Sequence, residues 1–298
     1  MFQAGFGHLP AMWAIRAHPK VCKLFKEVFN ALRGKEDIGQ LLSSADGLNM
    51  LPPPGDNGYT PADKEWTSKH PGAVNPKGDW PHTDQVTGPV DKYVQGQVVL
   101  NDTSACFVCS PKSHTLFPEI QEALNKKLQQ STGQKWFKLS KPEEMDVAAR
   151  VVESHGGAWQ IPIYAPAGSV ILWHSYTIHS AKRQDKDDDR WRCVVYVSHR
   201  PRSELPKAHK NTLPKRLRKC WDKNRMTNHT GERMFSTTPG GRFAASKVYN
   251  KQWTRYIKTP TAMWEDHPKL RTKLTSIIAS LTTKDMPIQL TSIRHTKK

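Results

Sequence analysis

Three late segments decide the fold: AWQIPIY at residues 158–164, GSVILWHSYTIHS at 168–180 and RWRCVVYVS at 190–198. Each is rich in β-branched and aromatic residues, and they are separated by the Pro/Gly pair at 166–168 and the acidic turn DKDDD at 185–189, so the pattern predicts three strands. Upstream, KYVQGQVVLNDTSACFVCS (92–110) has the same character, with a turn signal at Asn101 and Asp102, and reads as two adjacent strands. Residues 8–33 differ. Their apolar positions fall at helical spacing (Leu9, Met12, Trp13, Ile15, then Val21, Phe25, Phe29, Leu32), with Pro19 dividing two helices and Gly34 stopping the second. LLSSADGLNML (41–51) reads as either a short strand or a helix end ahead of the breaker PPPGDNG, with strand preferred. EIQEALNKKLQQ (119–130), acidic early and basic late as the helix dipole favours, and KPEEMDVAARVVES (141–154) read as helices. Helices early and strands late point to an α+β protein built on a β-sandwich or jelly roll.

The chain has 298 residues, 37% of them hydrophobic, enough for one large domain with elaborations. No apolar run reaches the roughly 18 residues that cross a bilayer, and the opening residues hold no signal-peptide core, so a soluble intracellular protein is expected, in cytoplasm or nucleus. The five cysteines, Cys22, Cys106, Cys109, Cys193 and Cys220, are odd in number and scattered, which argues for reduced thiols. Cys106 and Cys109 form a lone CxxC without the second pair a zinc site wants, and read as strand residues.

The segment from Tyr59 to Asp84 lacks a sustained period and reads as a long loop ending in PHTDQ (81–85). Its HisThrAsp triplet carries the chemistry. Where loop becomes strand, a period of two turns His82 and Asp84 to one face, so both can address one metal ion. A later strand histidine, His179, completes a set of two imidazoles and one carboxylate, which leaves three positions of an octahedral ion open. Fe(II) with a bidentate keto acid and dioxygen uses such a site. A dicarboxylate co-substrate also needs a cation at its far end. Arg190 and Arg192 share a strand face eleven and thirteen residues after His179, and either guanidinium could pair with it. Arg192 is preferred, because Arg190 adjoins the acidic turn.

With these residues in place, the chain resembles the phytanoyl-CoA dioxygenase family of Fe(II)/2-oxoglutarate oxygenases, in particular a branch with a long C-terminal extension. The resemblance runs through GFGHLPAMWAIRAHPKVCKLFKEVF (5–29), WPHTDQ (80–85), YVQGQVVLND (93–102), the turn SPKSHTLF (110–117), APAGSVILWHSYTIHSA (165–181), RWRCVVYVSHRPR (190–202) and NRMTNHTGERMF (224–235), the last with Arg225, Thr227 and His229. It implies a double-stranded β-helix (jelly-roll, cupin-like) core with N-terminal helices and a helical or irregular C-terminal extension. The implied oxygenase domain covers 1–200, with helices in 1–50 and the core from about 51 to 200, and the basic extension covers 201–298. His82, Asp84 and His179 would hold Fe(II), and Arg192 would anchor 2-oxoglutarate with Arg190 in reserve. An organic substrate would be hydroxylated with O2 as succinate and CO2 are released. Trp80, Gln85, Gln95 and Asn101 lie near the implied pocket. The chain departs from the family at Lys112, where the turn usually has Gly, and at His174 and Tyr176, where Asp and Arg are common.

Charge is uneven. Residues from 199 onward hold 23 Lys and Arg against 6 Asp and Glu, a net +17, while 1–198 carry +1. Interspersed aromatics (Trp221, Phe235, Phe243, Tyr249, Trp253, Tyr256, Trp264) fit contact with phosphates and bases. Expected partners are therefore a small-molecule substrate, with nucleic acid or another anion as a second class through the basic third. The alternative to an oxygenase is a catalytically inactive β-helix protein that binds such an anion; a metal enzyme that uses no oxoglutarate is a third possibility.

Overall fold

The structure is a computed structural model describing residues 6–51, 53, 81–86, 88, 92–124, 137–139, 141–182, 184–185, 187–205, 207–222, 225–232 and 234. Its contacts divide the chain into one unit of Met1–Leu48 with Val195–Lys298 and another of Asn49–Val194. The protein is mixed α/β with antiparallel sheets and several helices.

In the first unit, helices α1 (Pro10–Arg16) and α2 (Pro19–Arg33) follow the expected periods. Proline begins each, where its missing N–H costs nothing. The His18 side chain caps α2 by accepting from Lys20 N at 3.3 Å, and Gly34 ends it at φ 60°, a left-handed position that suits glycine. Val21, Phe25 and Phe29, four residues apart, bury the inner face, each contributing about 1.5–3 kcal/mol. Strands β1 (Leu41–Ser43) and β11 (His199–Pro201) pair antiparallel, and the Phe25 ring meets His199 edge-on at 4.8 Å. Arg16 is fully buried. It donates to Gly7 O at 2.5 Å and to Asp46 O, and lies over the Trp13 ring. Thr227 clamps Ala45 twice, its Oγ1 accepting from Ala45 N and its own N donating to Ala45 O, each at 2.9 Å. Thr227 of the C-terminal motif is thereby tied to the chain at Ala45. Helix α5 (Thr212–Asp222) packs Leu213 and Leu217 against Leu42 and Leu205.

The second unit carries strands β2 (Leu48–Leu51), β3 (His82–Thr83), β4 (Val94–Val99), β5 (Phe107–Cys109), β6 (Phe137–Lys138), β7 (Ile161–Ile163), β8 (Val170–His174), β9 (His179–Ala181) and β10 (Arg192–Val197), with β2 beginning and β10 ending in residues of the first unit. They form a four-stranded sheet, β2-β10-β4-β8, and a five-stranded sheet, β6-β3-β9-β5-β7, and neither closes into a barrel among the described residues. Helices α3 (Phe117–Ala123) and α4 (Pro142–Ser154) bury Phe117, Ile120, Ala148 and Val152 with Leu116, Phe137, Leu139, Tyr176 and Ile178.

Four expectations change. LLSSADGLNML is not one short strand but two, β1 and β2, in different sheets. GSVILWHSYTIHS is two strands rather than one: a turn closed by Thr177 N donating to His174 O at 2.8 Å carries the chain from β8 in one sheet to β9 in the other. The two strands of 92–110 follow one another in sequence but occupy different sheets. Arg190 precedes β10 instead of sharing its face with Arg192. The expected helix 119–130 is described only to Leu124, and most of the loop 59–84, Trp80 included, and the basic segment from 235 lie outside the described residues. All five cysteines are free. No helix among the described residues is long and apolar enough to cross a membrane.

Candidate metal centre

The register of one strand pair assembles the site. In the antiparallel β3–β9 pair His82 stands directly opposite His179, which puts both rings on one side with centroids 4.2 Å apart. Asp84 follows in the bend after β3, because Asp84 N and Gln85 N both donate to Ser175 O, at 3.0 and 3.1 Å, and hold the loop against the β8–β9 turn. Its carboxylate faces both imidazoles: Oδ1 is 3.7 Å from His82 Nε2 and Oδ2 is 3.4 Å from His179 Nε2. One ligand atom from each residue falls within a 4.8 Å circle.

These distances fit a metal ion. Donors adjacent on an octahedral ion with bonds of about 2.1 Å are about 3 Å apart, so the two Asp84–imidazole distances need to close by less than about 1 Å, and the ligand atoms, within 4.8 Å of one another, draw together around the ion. The tautomer fits as well. His179 Nδ1 is 2.9 Å from Thr177 O; a carbonyl only accepts, so Nδ1 carries the proton and Nε2 presents its lone pair to the centre. Gln95 Nε2 donates to Asp84 Oδ2 at 3.1 Å and aims the carboxylate. Phe107 stacks on His179 at 5.6 Å and Trp173 lies at 5.2 Å, walling the ring with apolar surface. His82, Asp84 and His179 are thereby placed to hold a metal ion.

Phe107 also lines a cleft with Arg192, Gln97, Asn101 and Thr103. Arg192 is only 2% exposed, and among the described residues no carboxylate lies within ion-pair distance of it. Among the described residues its one side-chain acceptor is Asn49 Oδ1 at 2.5 Å. A buried guanidinium held by a neutral amide is costly until an anion reaches it. Arg190 is different: its side chain is 55% exposed and its Nε donates to Asp188 Oδ1 at 2.7 Å, and that pairing pulls the Asp188 carboxyl far below the usual range.

Of the other residues near the implied pocket, Gln85 is buried beside Tyr176, whose hydroxyl donates to Gly88 O at 3.1 Å. Asn101 is an edge clamp, accepting from Cys193 N at 2.9 Å and donating to Trp191 O. His174 stacks on His114 with centroids 5.0 Å apart. Asn49, Phe107, Trp173 and Thr177 escape the sequence reading. Asn49 stands 143 positions from Arg192 and nothing in its spacing joins them, whereas Thr177 has a signal, two residues before the late histidine. No protein-family model matches the chain, and no curated protein matches it.

Proposed function

We propose that the protein is an Fe(II)- and 2-oxoglutarate-dependent dioxygenase of the phytanoyl-CoA dioxygenase type, hydroxylating an organic substrate with release of succinate and CO2. The observation that carries this reading is the pairing of a two-histidine, one-carboxylate cluster with a buried arginine that has no carboxylate partner among the described residues. A structural zinc site would be closed by a fourth protein ligand, and no fourth His, Cys, Asp or Glu joins the cluster among the described residues. A metal enzyme without oxoglutarate would leave Arg192 with no task. The two sheets are read as the two faces of an open double-stranded β-helix.

Iron bound there would supply the oxidation, using dioxygen and the keto acid. The chain's own residues do the rest. His82, Asp84 and His179 would hold the ion. Thr177 fixes the His179 tautomer, and Gln95 orients Asp84. Arg192, steadied by Asn49, binds the distal carboxylate in a dry cleft where a charge-assisted pair is strong. Phe107 and Trp173 keep water from the imidazole.

Anaerobic Fe(II) titration with and without 2-oxoglutarate tests the reading through the weak visible charge-transfer band of the chelate. The band is expected in the wild type, lost in His179→Ala and weakened in Arg192→Ala. A folded, iron-loaded wild type without the band would refute the oxygenase reading.

A further inference from the structure

Helix α5 turns a row of cations to solvent. Leu213, Leu217 and Cys220 are buried, while Lys215, Arg218 and Lys219 are exposed on the other side, preceded by exposed Lys207 and Lys210. From Leu205 to Trp221 the sequence contains no acidic residue. Residues three and four apart on a helix are about 5–6 Å apart at Cβ, so Lys215, Arg218 and Lys219 make one dense positive stripe.

We infer that this stripe is a nucleic-acid-binding surface, with Lys207, Lys210, Lys215, Arg218 and Lys219 contacting the phosphates of a strand. The first reason is that, among the residues of the helix whose side chains are described, no apolar face is left to offer. Leu213 and Leu217 are spent in the cluster with Leu42 and Leu205, so α5 cannot insert in a lipid surface or lie in a partner's groove, as basic amphipathic helices otherwise do. What it offers is charge alone, and a partner bound by charge alone must be densely anionic, as a phosphate backbone is. The second is that the sequence beyond it continues the theme: residues 235–298 hold 12 Lys and Arg against 3 Asp and Glu, interleaved with Phe235, Phe243, Tyr249, Trp253, Tyr256 and Trp264. Bases stack on aromatic rings, whereas an acidic protein has no such need of them.

Fluorescence anisotropy of a labelled mixed-sequence RNA oligonucleotide, titrated with the full chain at several salt concentrations, tests this. Wild type should bind, with affinity falling steeply as salt rises. Replacing all five residues with Gln should weaken binding at least tenfold at low salt and flatten the log–log salt slope by about 3.5, near 0.7 per lost phosphate contact. A control with Lys20, Lys23 and Lys26 of α2, and Lys35 just beyond it, changed to Gln should bind within twofold of wild type. If the five-residue variant fails to fold by circular dichroism, Lys215→Gln with Lys219→Gln makes the same comparison, with a slope change of about 1.4. Equal weakening in the α2 control would reduce the effect to net charge and overturn the proposal. So would no binding by wild type, or tighter binding of polyglutamate or anionic phospholipid vesicles than of the oligonucleotide.

Discussion

Lys112 shows how one residue records a constraint the rest of its turn obeys. Its φ is 69°, in the left-handed region where a side chain costs about 1–2 kcal/mol and glycine is the favoured residue. The Lys112 amine donates to His155 O at 3.2 Å on the surface, a bond worth little. Lys112→Gly should therefore stabilise the protein by about 0.5–1 kcal/mol, the relief of strain outweighing the greater freedom of glycine in the unfolded chain. Urea denaturation checks this, and a lowered midpoint would show that the lysine contact outweighs the strain. Gln95 and Asn49 give two separable outcomes. Gln95→Ala removes the donor that aims Asp84 and should weaken metal binding about 10–100-fold, read by metal titration. Asn49→Ala loosens Arg192 and should raise the apparent Kd for 2-oxoglutarate while the metal affinity stays put. The three residues placed to hold a metal ion were legible in the sequence because HxD and a late strand histidine are local patterns. Asn49 and Gln95 were not legible as positioning residues, since their partners lie 143 and 11 positions away and only the folded register joins them.

At the scale of elements, helices announced themselves and strands did so only in part. The α1 and α2 periods, Pro19 and Gly34 fixed two helices because capping and amphipathicity are written within one turn of each other. The passage from β8 to β9 was hidden: period two looks the same on either side of a corner, and Ser175 to Ile178 contain neither Pro nor Gly to mark one. The packing of α1 and α2 has a consequence in acid. His8 donates from Nε2 to Arg225 O at 2.6 Å and accepts from Trp13 at Nδ1, and His199 donates from Nε2 to Arg16 O at 3.1 Å. Burial lowers His8 to about 4 and His199 to about 3, with Arg16 adding to the effect in both. The unfolded chain, with histidine near 6.5, therefore binds more protons, and the stability these groups contribute is full above about pH 6.5 and is lost as pH falls toward 4 and 3. His8 alone accounts for a loss on the order of 3 kcal/mol. Tryptophan fluorescence, followed in urea melts between pH 7 and 4, should show the midpoint falling. In His8→Gln, which keeps an amide donor, the pH dependence should be shallower. An unchanged dependence would mean that His8 is not buried neutral.

Across the whole molecule, chemistry and charge belong to different stretches of chain. The metal cluster and Arg192 come from Asn49–Val194, whereas the net +17 lies beyond residue 198. Composition therefore showed that the basic third differs from the rest, but it could not show which residues spend their apolar side on packing, as α5 does. The same separation governs how bound metal stabilises the protein. A ligand that binds only the folded state adds RT ln(1 + [L]/Kd), about 2.7 kcal/mol at one hundred times Kd, and that energy protects only the amides whose opening breaks the site. His82 and His179 are joined by the β3–β9 pairing, and Asp84 by the Ser175 carbonyl, so opening any of these disperses the ligands. Saturating Mn(II), which takes the same donors without redox chemistry, should slow hydrogen exchange by up to about a hundredfold at Asp84, Gln85 and the β3 and β9 amides. Exchange in α2, which opens without disturbing a ligand, should change little. The protection should vanish in His179→Ala. Protection spread evenly over both units would mean that the chain opens only as a whole, and protection absent from β3 and β9 would place the metal somewhere other than His82, Asp84 and His179.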